Sequence, residues 1–182
     1  MSAKVAVLVF AITFANATRA WTTVLPDACG PDNVKFKVSN QKGQTAPTGP
    51  AADEAQIVII ENPEMDPQCV GPSCHVTVRI GLDGKWVGAS HDKSYFAFSV
   101  APGEHHLCAN WQSALGPLNK LVGMASFTAE AGKVYYYQVK PVMRPTTGRE
   151  PDEYRLDLTP LVEDEGKFGV KVLALSTSTP KR

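Results

Sequence analysis

The stretch that decides the fold is HVTVRIGLDGKWVG at residues 75–88, followed by YFAFSVAPGEHHLC at 95–108 and FTAEAGKVYYYQV at 127–139. In each segment a turn signal separates two short runs of alternating apolar residues. The signals are Asp83-Gly84, Pro102-Gly103 and the Glu-Ala-Gly-Lys sequence around Gly132. Such turn sequences between runs with a period of two are typical of hairpins. We therefore expect a meander of antiparallel hairpins that builds an all-β, Ig-like sandwich of about eight or nine strands.

The flanking segments add further strands. Residues 34–38 and 154–159 alternate in the same way, and the continuous apolar run at 56–60 is typical of a strand buried on both faces. Residues 163–175 fit either a strand or a short C-terminal helix. The acidic residues Glu163–Glu165 suit the first turn of such a helix, where carboxylates interact favourably with the helix dipole.

The turn signals also predict register. With Asp83-Gly84 as a two-residue turn, Gly81 faces Trp86 and Ile80 faces Val87. The side chains expected on the core face are Val76, Val78, Ile80 and Val87. Trp86 then lies on the outer face, diagonal to Arg79.

A four-residue turn around Pro102-Gly103 pairs Val100 with His105 and Phe98 with Leu107. Under this register Tyr95, His106 and Cys108 point away from the core. The outer face of this hairpin would then carry an aromatic ring, an imidazole and a thiol or disulfide.

The first twenty residues have the form of an export signal. Lys4 precedes the apolar run Val5–Ala15, and small residues then allow cleavage after Ala17 or Ala20. The apolar run is shorter than the ~20 residues that span a bilayer. Cys29, the first cysteine, does not follow a lipid-attachment box. We expect a soluble periplasmic or extracellular protein with no membrane-spanning segment after cleavage.

Charge and length define the remaining organisation. Loss of residues 1–20 removes Lys4 and Arg19 and no acidic residue, which changes the net charge from zero to −2. No basic stripe supports nucleic-acid binding. The expected divisions are a signal peptide at 1–20, an extension and linker at 21–54, the sandwich at 55–176 and a disordered tail at 177–182.

The chain has four cysteines, an even number that favours two disulfides in an oxidising compartment. Three pairings are open. Cys69 and Cys74 flank a tight Val-Gly-Pro-Ser turn and are expected to pair locally, which leaves Cys29 with Cys108. The long bridge would tie the N-terminal extension to the sheet.

Two groups of residues could carry chemistry. His106 and Cys108 share one side of a strand, so a metal-handling protein or a cysteine–histidine enzyme is one hypothesis. Adjacent His105 and His106 point to opposite faces, which argues against a metal site. No hydrolase, zinc-protease or phosphate-loop motif occurs, so we expect no catalytic residue, no metal and no cofactor.

The second group is an aromatic outer face. Its candidate members are Arg79, Trp86, Tyr95, Tyr136 and His106. Such a surface could bind a glycan, a peptide or an envelope protein. Alternatively, the rings pack beneath the extension, the long loops or the tail. The sequence leaves the oligomeric state open.

From about residue 55 to 175 the chain resembles the bacterial family of unknown function numbered 2846. The shared features are Leu82-Asp-Gly-Lys-x-Val-Gly88, Ser94-Tyr-Phe, Ala101-Pro-Gly-Glu-His105, Ala129-Glu-Ala-Gly-Lys-x-Tyr-Tyr136 and the closing Glu165-Gly-Lys167. The resemblance implies an exported envelope β-sandwich and brings no catalytic residues. We therefore expect a non-enzymatic binding or scaffold module.

Overall fold

The computed structural model describes residues 28–43, 48–62, 76–113, 118–144 and 153–181. These residues form ten strands, one α-helix and a short 3-10 helix at Leu118–Lys120. The strands are β1 (Phe36–Gln41), β2 (Ala55–Glu61), β3 (Thr77–Leu82), β4 (Lys85–His91), β5 (Ser94–Val100), β6 (Gly103–Gln112), β7 (Val122–Ala129), β8 (Val134–Arg144), β9 (Glu153–Leu161) and β10 (Ala174–Pro180). The helix, α1, spans Glu163–Val172.

The strands form two sheets, which confirms the all-β sandwich with a short C-terminal helix. One sheet has six strands in the order β1-β10-β5-β2-β8-β9, and the other has four in the order β4-β3-β6-β7. The main core lies between them, and a smaller cluster lies between the six-stranded sheet and α1. The described part of the chain has ten strands rather than the eight or nine expected.

Strand β2 occupies the centre of the six-stranded sheet, between β5 and β8. Ile57 and Ile59 enter the main core, whereas Val58 and Ile60 enter the cluster beneath α1. The predicted burial of this apolar run on both faces is confirmed. A strand covered on both sides has no polar face, which explains its continuous apolar sequence.

The hairpin at Asp83-Gly84 is confirmed, with one change of register. Both turn residues have positive φ, 49° and 82°, as a two-residue type I′ turn requires. Gly81 pairs with Trp86 as predicted, but a bulge follows and Ile80 faces Gly88 instead of Val87. The core assignment of Val87 is therefore wrong, and its side chain is 36% exposed.

The other two predicted hairpins are wrong. Strands β5 and β6 lie in different sheets, as do β7 and β8, so the chain crosses the sandwich at Pro102-Gly103 and again at Gly132. Phe98 pairs with Ile57, and Leu107 pairs with Leu82 and Ala125. A turn sequence favours a change of chain direction, but it does not specify whether the chain returns to the same sheet.

Both ends of the described chain join the sandwich. Strand β1, from the predicted extension, pairs antiparallel with β10 from Phe36↔Pro180 to Gln41↔Leu175. Residues 177–180 therefore belong to a strand rather than to a disordered tail. Their Ser- and Thr-rich sequence lacked the apolar alternation on which strand prediction depends.

Helix α1 lies close to the sheet because two glycines face it. A Cβ at Gly166 would overlap the ring of Tyr136 and lie 2.7 Å from its Cβ, and one at Gly169 would lie 2.6 Å from Ile60 Cδ1. The predicted acidic first turn, Glu163–Glu165, is confirmed. The helix covers the second apolar cluster at a distance that only glycine allows.

We expect Gly166→Ala to lower the free energy of unfolding by about 1–2 kcal/mol. The steric cost against Tyr136 outweighs the gain of ~1 kcal/mol that alanine brings to an exposed helix position. Urea unfolding measures the difference, with exposed Glu165→Ala as the control. A variant as stable as the wild type would contradict the close packing of α1.

Candidate functional site

Residues 28–35, here called the strap, cross the outer face of the four-stranded sheet. Cys29, 5% exposed, forms a disulfide with Cys108, 0% exposed, across 79 positions of sequence. The Gly84 N–H donates to Ala28 O at 3.3 Å. The predicted Cys29–Cys108 bridge is confirmed. The predicted Cys69–Cys74 bridge lies outside the described residues.

Arg79 holds the strap from below. Its side chain is buried, and its Nη1 donates to Asp32 O at 3.0 Å and to Val34 O at 2.5 Å. Its Nε donates to Asn110 Oδ1 at 2.9 Å. Burial lowers the pKa of Arg79, while the charge of Asp32 acts in the opposite direction. The guanidinium therefore binds the strap backbone and a neighbouring strand.

Trp86 holds the strap from the side. Its indole Nε1 donates to Pro31 O at 2.8 Å, and the Arg79 guanidinium lies 4.4 Å from the ring centre. Gly30 passes so close that a Cβ there would be 2.6 Å from Trp86 Cγ. The sequence left open whether Arg79 and Trp86 form an exposed binding face or pack beneath the N-terminal extension. The structure shows that they pack beneath the extension.

Tyr95 and Tyr136 lie elsewhere. Both belong to the apolar cluster on the outer face of the six-stranded sheet, and Tyr95 is 1% exposed. The five residues expected on one outer face are thus divided between opposite sides of the sandwich. The expectation of a single face was wrong because it depended on a β5–β6 hairpin that does not form.

His106 lies on the four-stranded sheet beside a shallow groove, with its side chain 64% exposed. The groove has a volume of about 270 Å³. Its lining residues are Glu104, His105, His106, Ser126, Phe127 and Thr128. Cys108, its proposed chemical partner, is held in the disulfide. In the oxidised protein Cys108 therefore offers His106 no thiol to activate.

His105 is bonded at both ring nitrogens. Nδ1 lies 2.6 Å from Asp83 Oδ2, and Nε2 lies 2.8 Å from Ala101 O. Both partners are acceptors, so this geometry selects the doubly protonated ring. Burial lowers the pKa of His105, but the bonds to Asp83 and Ala101 outweigh it and raise the pKa above its usual value. This ring ties the β3–β4 turn to β6 and to the end of β5.

Asp83 completes this link from the turn. Desolvation raises the pKa of Asp83, but hydrogen bonds from His105 and from the His106 N–H lower it overall. The His105 contribution to stability is complete below the unfolded pKa of ~6.5 and is lost as pH rises through the folded pKa. The Asp83 contribution is present above an unfolded pKa of ~3.9 and is lost as pH falls through the folded value.

We expect Asp83→Asn to lower the free energy of unfolding by about 1 kcal/mol near pH 5 and by less near pH 9. Asparagine tolerates the positive φ at this position, so the change tests the ion pair rather than the turn. Urea unfolding at the two pH values measures it. His106→Gln is the control. Equal losses of stability in the two variants would contradict a stabilising interaction between Asp83 and His105.

A second polar site was not predicted from the sequence. Glu61, at the end of β2, is 0% exposed. Its Oε2 accepts from Ser90 Oγ at 2.6 Å, and its Oε1 accepts from Asp92 N at 3.0 Å. Burial raises the pKa of Glu61 to about 8. The two hydrogen bonds lower the pKa and so oppose this shift, whereas the negative charge of Asp92 raises it further. The only sequence signal for this site is that a glutamate directly follows the apolar run at 56–60.

A cavity of about 450 Å³ lies beside this end of β2. Its lining residues are Lys42, Gly43, Asn62, Lys93, Lys171, Val172, Leu173 and Ala174. The three lysines are far apart in sequence, so no local pattern could have revealed the cavity. Their ammonium groups can attract an anion and donate hydrogen bonds to it.

Among the described residues, no group of three or more His, Cys, Asp or Glu side chains could hold a metal ion. In the same part of the chain, no helix is long and apolar enough to span a membrane. No family model, curated protein or solved structure matched the chain.

Proposed function

We propose that this protein is an exported, non-enzymatic module of the cell envelope or the extracellular medium that acts by binding or by scaffolding. The observation that carries the proposal is the strap. A buried disulfide and a buried arginine fix it to the sheet, and persistent structural disulfides are characteristic of exported proteins. The export signal expected at residues 1–20 supports the same compartment.

The rigid sandwich also supports a binding role. Functional residues of such folds lie on loops and outer faces that the sheets position. The resemblance to family 2846 favours a location in the cell envelope, where an envelope protein or a glycan is the partner we propose. The Ig-like subclass and solubility after signal cleavage remain part of this proposal.

The enzymatic alternative required His106 to act with a free Cys108. The disulfide occupies that sulfur, so the cysteine–histidine pair on which this alternative depended is not formed in the oxidised protein. We therefore retain the non-enzymatic proposal.

Expression from the native N-terminus tests this proposal. We expect N-terminal sequencing of the exported protein to begin after Ala17 or Ala20, and non-reducing peptide mapping to recover Cys29 linked to Cys108. Cytoplasmic retention with reduced Cys108 would overturn the export proposal. A hydrolase activity that copurifies with the protein and disappears in His106→Gln would overturn the non-enzymatic one.

A further inference from the structure

Strand β7 forms one edge of the four-stranded sheet, and its sequence differs from those of the other edge strands. Its eight residues, Val122–Ala129, include no charged residue and no proline. Native sheets commonly protect exposed edges with charges, prolines or bulges. The other edge strands carry such features, namely Lys37 in β1, Lys85 and a bulged pairing in β4, and Glu153, Arg155, Asp157 and Pro160 in β9. Within the described residues, β7 is the edge strand that lacks all three.

The backbone of β7 presents hydrogen-bonding groups at this edge. His106 O accepts from the Asp83 N–H at 3.0 Å, so the backbone of His106 faces β3. Ser126 lies opposite His106 in the antiparallel β6–β7 pair, so its own N–H and C=O face away from β6. The same holds two residues away in either direction, at Met124 and Thr128. In the part of the chain that the structure describes, no strand pairs with this edge.

The edge is also accessible to a partner. Met124 is 59% exposed, and Ser126 and Thr128 are exposed as well. Strand β9 approaches β7 from the core, where a Cβ at Gly123 would lie 2.8 Å from Leu156 O. A further strand can therefore approach β7 in the plane of the sheet.

A second copy of β7 fits this edge in the antiparallel orientation. With Ser126 opposite its equivalent, Met124 of one copy lies opposite Thr128 of the other. Thr128 lines the shallow groove of about 270 Å³ together with Glu104 and His106. The exposed Met124 side chain of the second copy would lie beside this groove. Because β7 is uncharged, no like charges face each other within the paired strands.

Charges at the two ends of β7 favour the same orientation. The exposed Lys120 precedes the strand, and the exposed Glu130 follows it. An antiparallel partner brings Lys120 of each copy towards Glu130 of the other, whereas a parallel partner would bring like charges together. The two-fold axis repeats this contact and uses each edge once, so the assembly closes as a dimer.

We propose that β7 pairs with β7 of a second copy and joins the two four-stranded sheets into one eight-stranded sheet. Main-chain hydrogen bonds supply the affinity of such strand addition. Because an edge-to-edge interface is small, we expect a dissociation constant of about 10–500 µM. The inference gives the scaffold role proposed above a contact with a second copy, and it rests on that role.

Sedimentation velocity of the purified, oxidised chain from about 1 µM to about 1 mM tests the inference. We expect a reversible equilibrium between monomer and dimer. Ser126→Lys places like charges opposite each other at the two-fold axis and should weaken the dimer about tenfold or more. The matched control, Ser39→Lys on the exposed edge of β1, should stay within about twofold of wild type. Urea unfolding of both variants at low concentration checks that they fold.

Charge reversal tests the orientation. Lys120→Glu should weaken the dimer about threefold to tenfold, because it turns two attractive contacts into repulsive ones. Combination with Glu130→Lys should restore the affinity to within about twofold of wild type. A double variant no tighter than Lys120→Glu alone would contradict the antiparallel pairing.

Hydrogen exchange locates the interface. We expect the N–H groups of Met124, Ser126 and Thr128 to gain protection as concentration rises, whereas those of Ala125 and Phe127, which face β6, are protected throughout. A chain that stays monomeric at about 1 mM, or species larger than a dimer, would overturn the proposal. Protection of the edge that does not depend on concentration would also overturn it, because a single chain would then cover its own edge. None of these results would change the N-terminal sequence or the disulfide map, so the two proposals fail separately.

Discussion

Replacing Arg79 with Met is expected to lower the free energy of unfolding by about 2–5 kcal/mol. Methionine keeps the apolar stem but removes every donor. Two strap carbonyls, Asp32 O and Val34 O, then lose their arginine partner. Asn110 cannot compensate by turning its amide, because its Nδ2 already donates to Asn119 O and Leu121 O. Asn110 Oδ1, a buried acceptor left without a donor, costs about 1–3 kcal/mol, and the two partly buried strap carbonyls each cost less.

The matched control is Arg155→Met, which removes an exposed arginine that pairs with Asp157 at 2.8 Å. Exposed pairs of this kind contribute about 0–1 kcal/mol. Guanidinium unfolding with the disulfide intact measures both variants, and hydrogen exchange at residues 28–35 reports the strap. A loss in Arg79→Met no larger than that in Arg155→Met, with an unchanged strap, would show that the disulfide alone holds it.

Local signals in the sequence predicted local structure well. Asp83-Gly84 requires positive φ at two successive residues, so it specified both the turn and the Gly81–Trp86 pair. Pro102-Gly103 marked a change of direction equally well, but the next strand joined the opposite sheet. The choice between a hairpin and a crossing depends on which distant strands complete each sheet. That information is spread over the whole chain.

The same distinction applies to the candidate sites. The neighbourhood of Arg79 and Trp86 followed from strand register, and the Cys29–Cys108 bridge followed from elimination among four cysteines. Lys42, Lys93 and Lys171 converge only because β1 pairs with β10 and α1 ends beside β5. A strand rich in serine and threonine, which lacked a strand pattern, brings two of these lysines together.

Glu61 gives the second large expected effect, a loss of stability as pH rises. Its folded pKa of about 8 lies above the ordinary glutamate pKa of 4.5, so between these two pH values the folded state binds a proton that the unfolded state has lost. The free energy of unfolding must then fall as pH increases across that window, by at most about 1.4 kcal/mol per pH unit. The complete shift corresponds to about 5 kcal/mol, reached above about pH 8.

Glu61→Gln should remove this slope. Its Oε1 can still accept from the Asp92 N–H, and its amide can donate to Ser90 Oγ, so near pH 5 the variant should match wild type within about 1 kcal/mol. Near pH 9 it should be the more stable protein by several kcal/mol, because the wild type then buries a charge that glutamine lacks. Urea unfolding across this range measures the crossover, and the exposed Glu165→Gln should run parallel to wild type. A constant difference between Glu61→Gln and wild type at every pH would mean that Glu61 keeps an ordinary pKa in the folded protein.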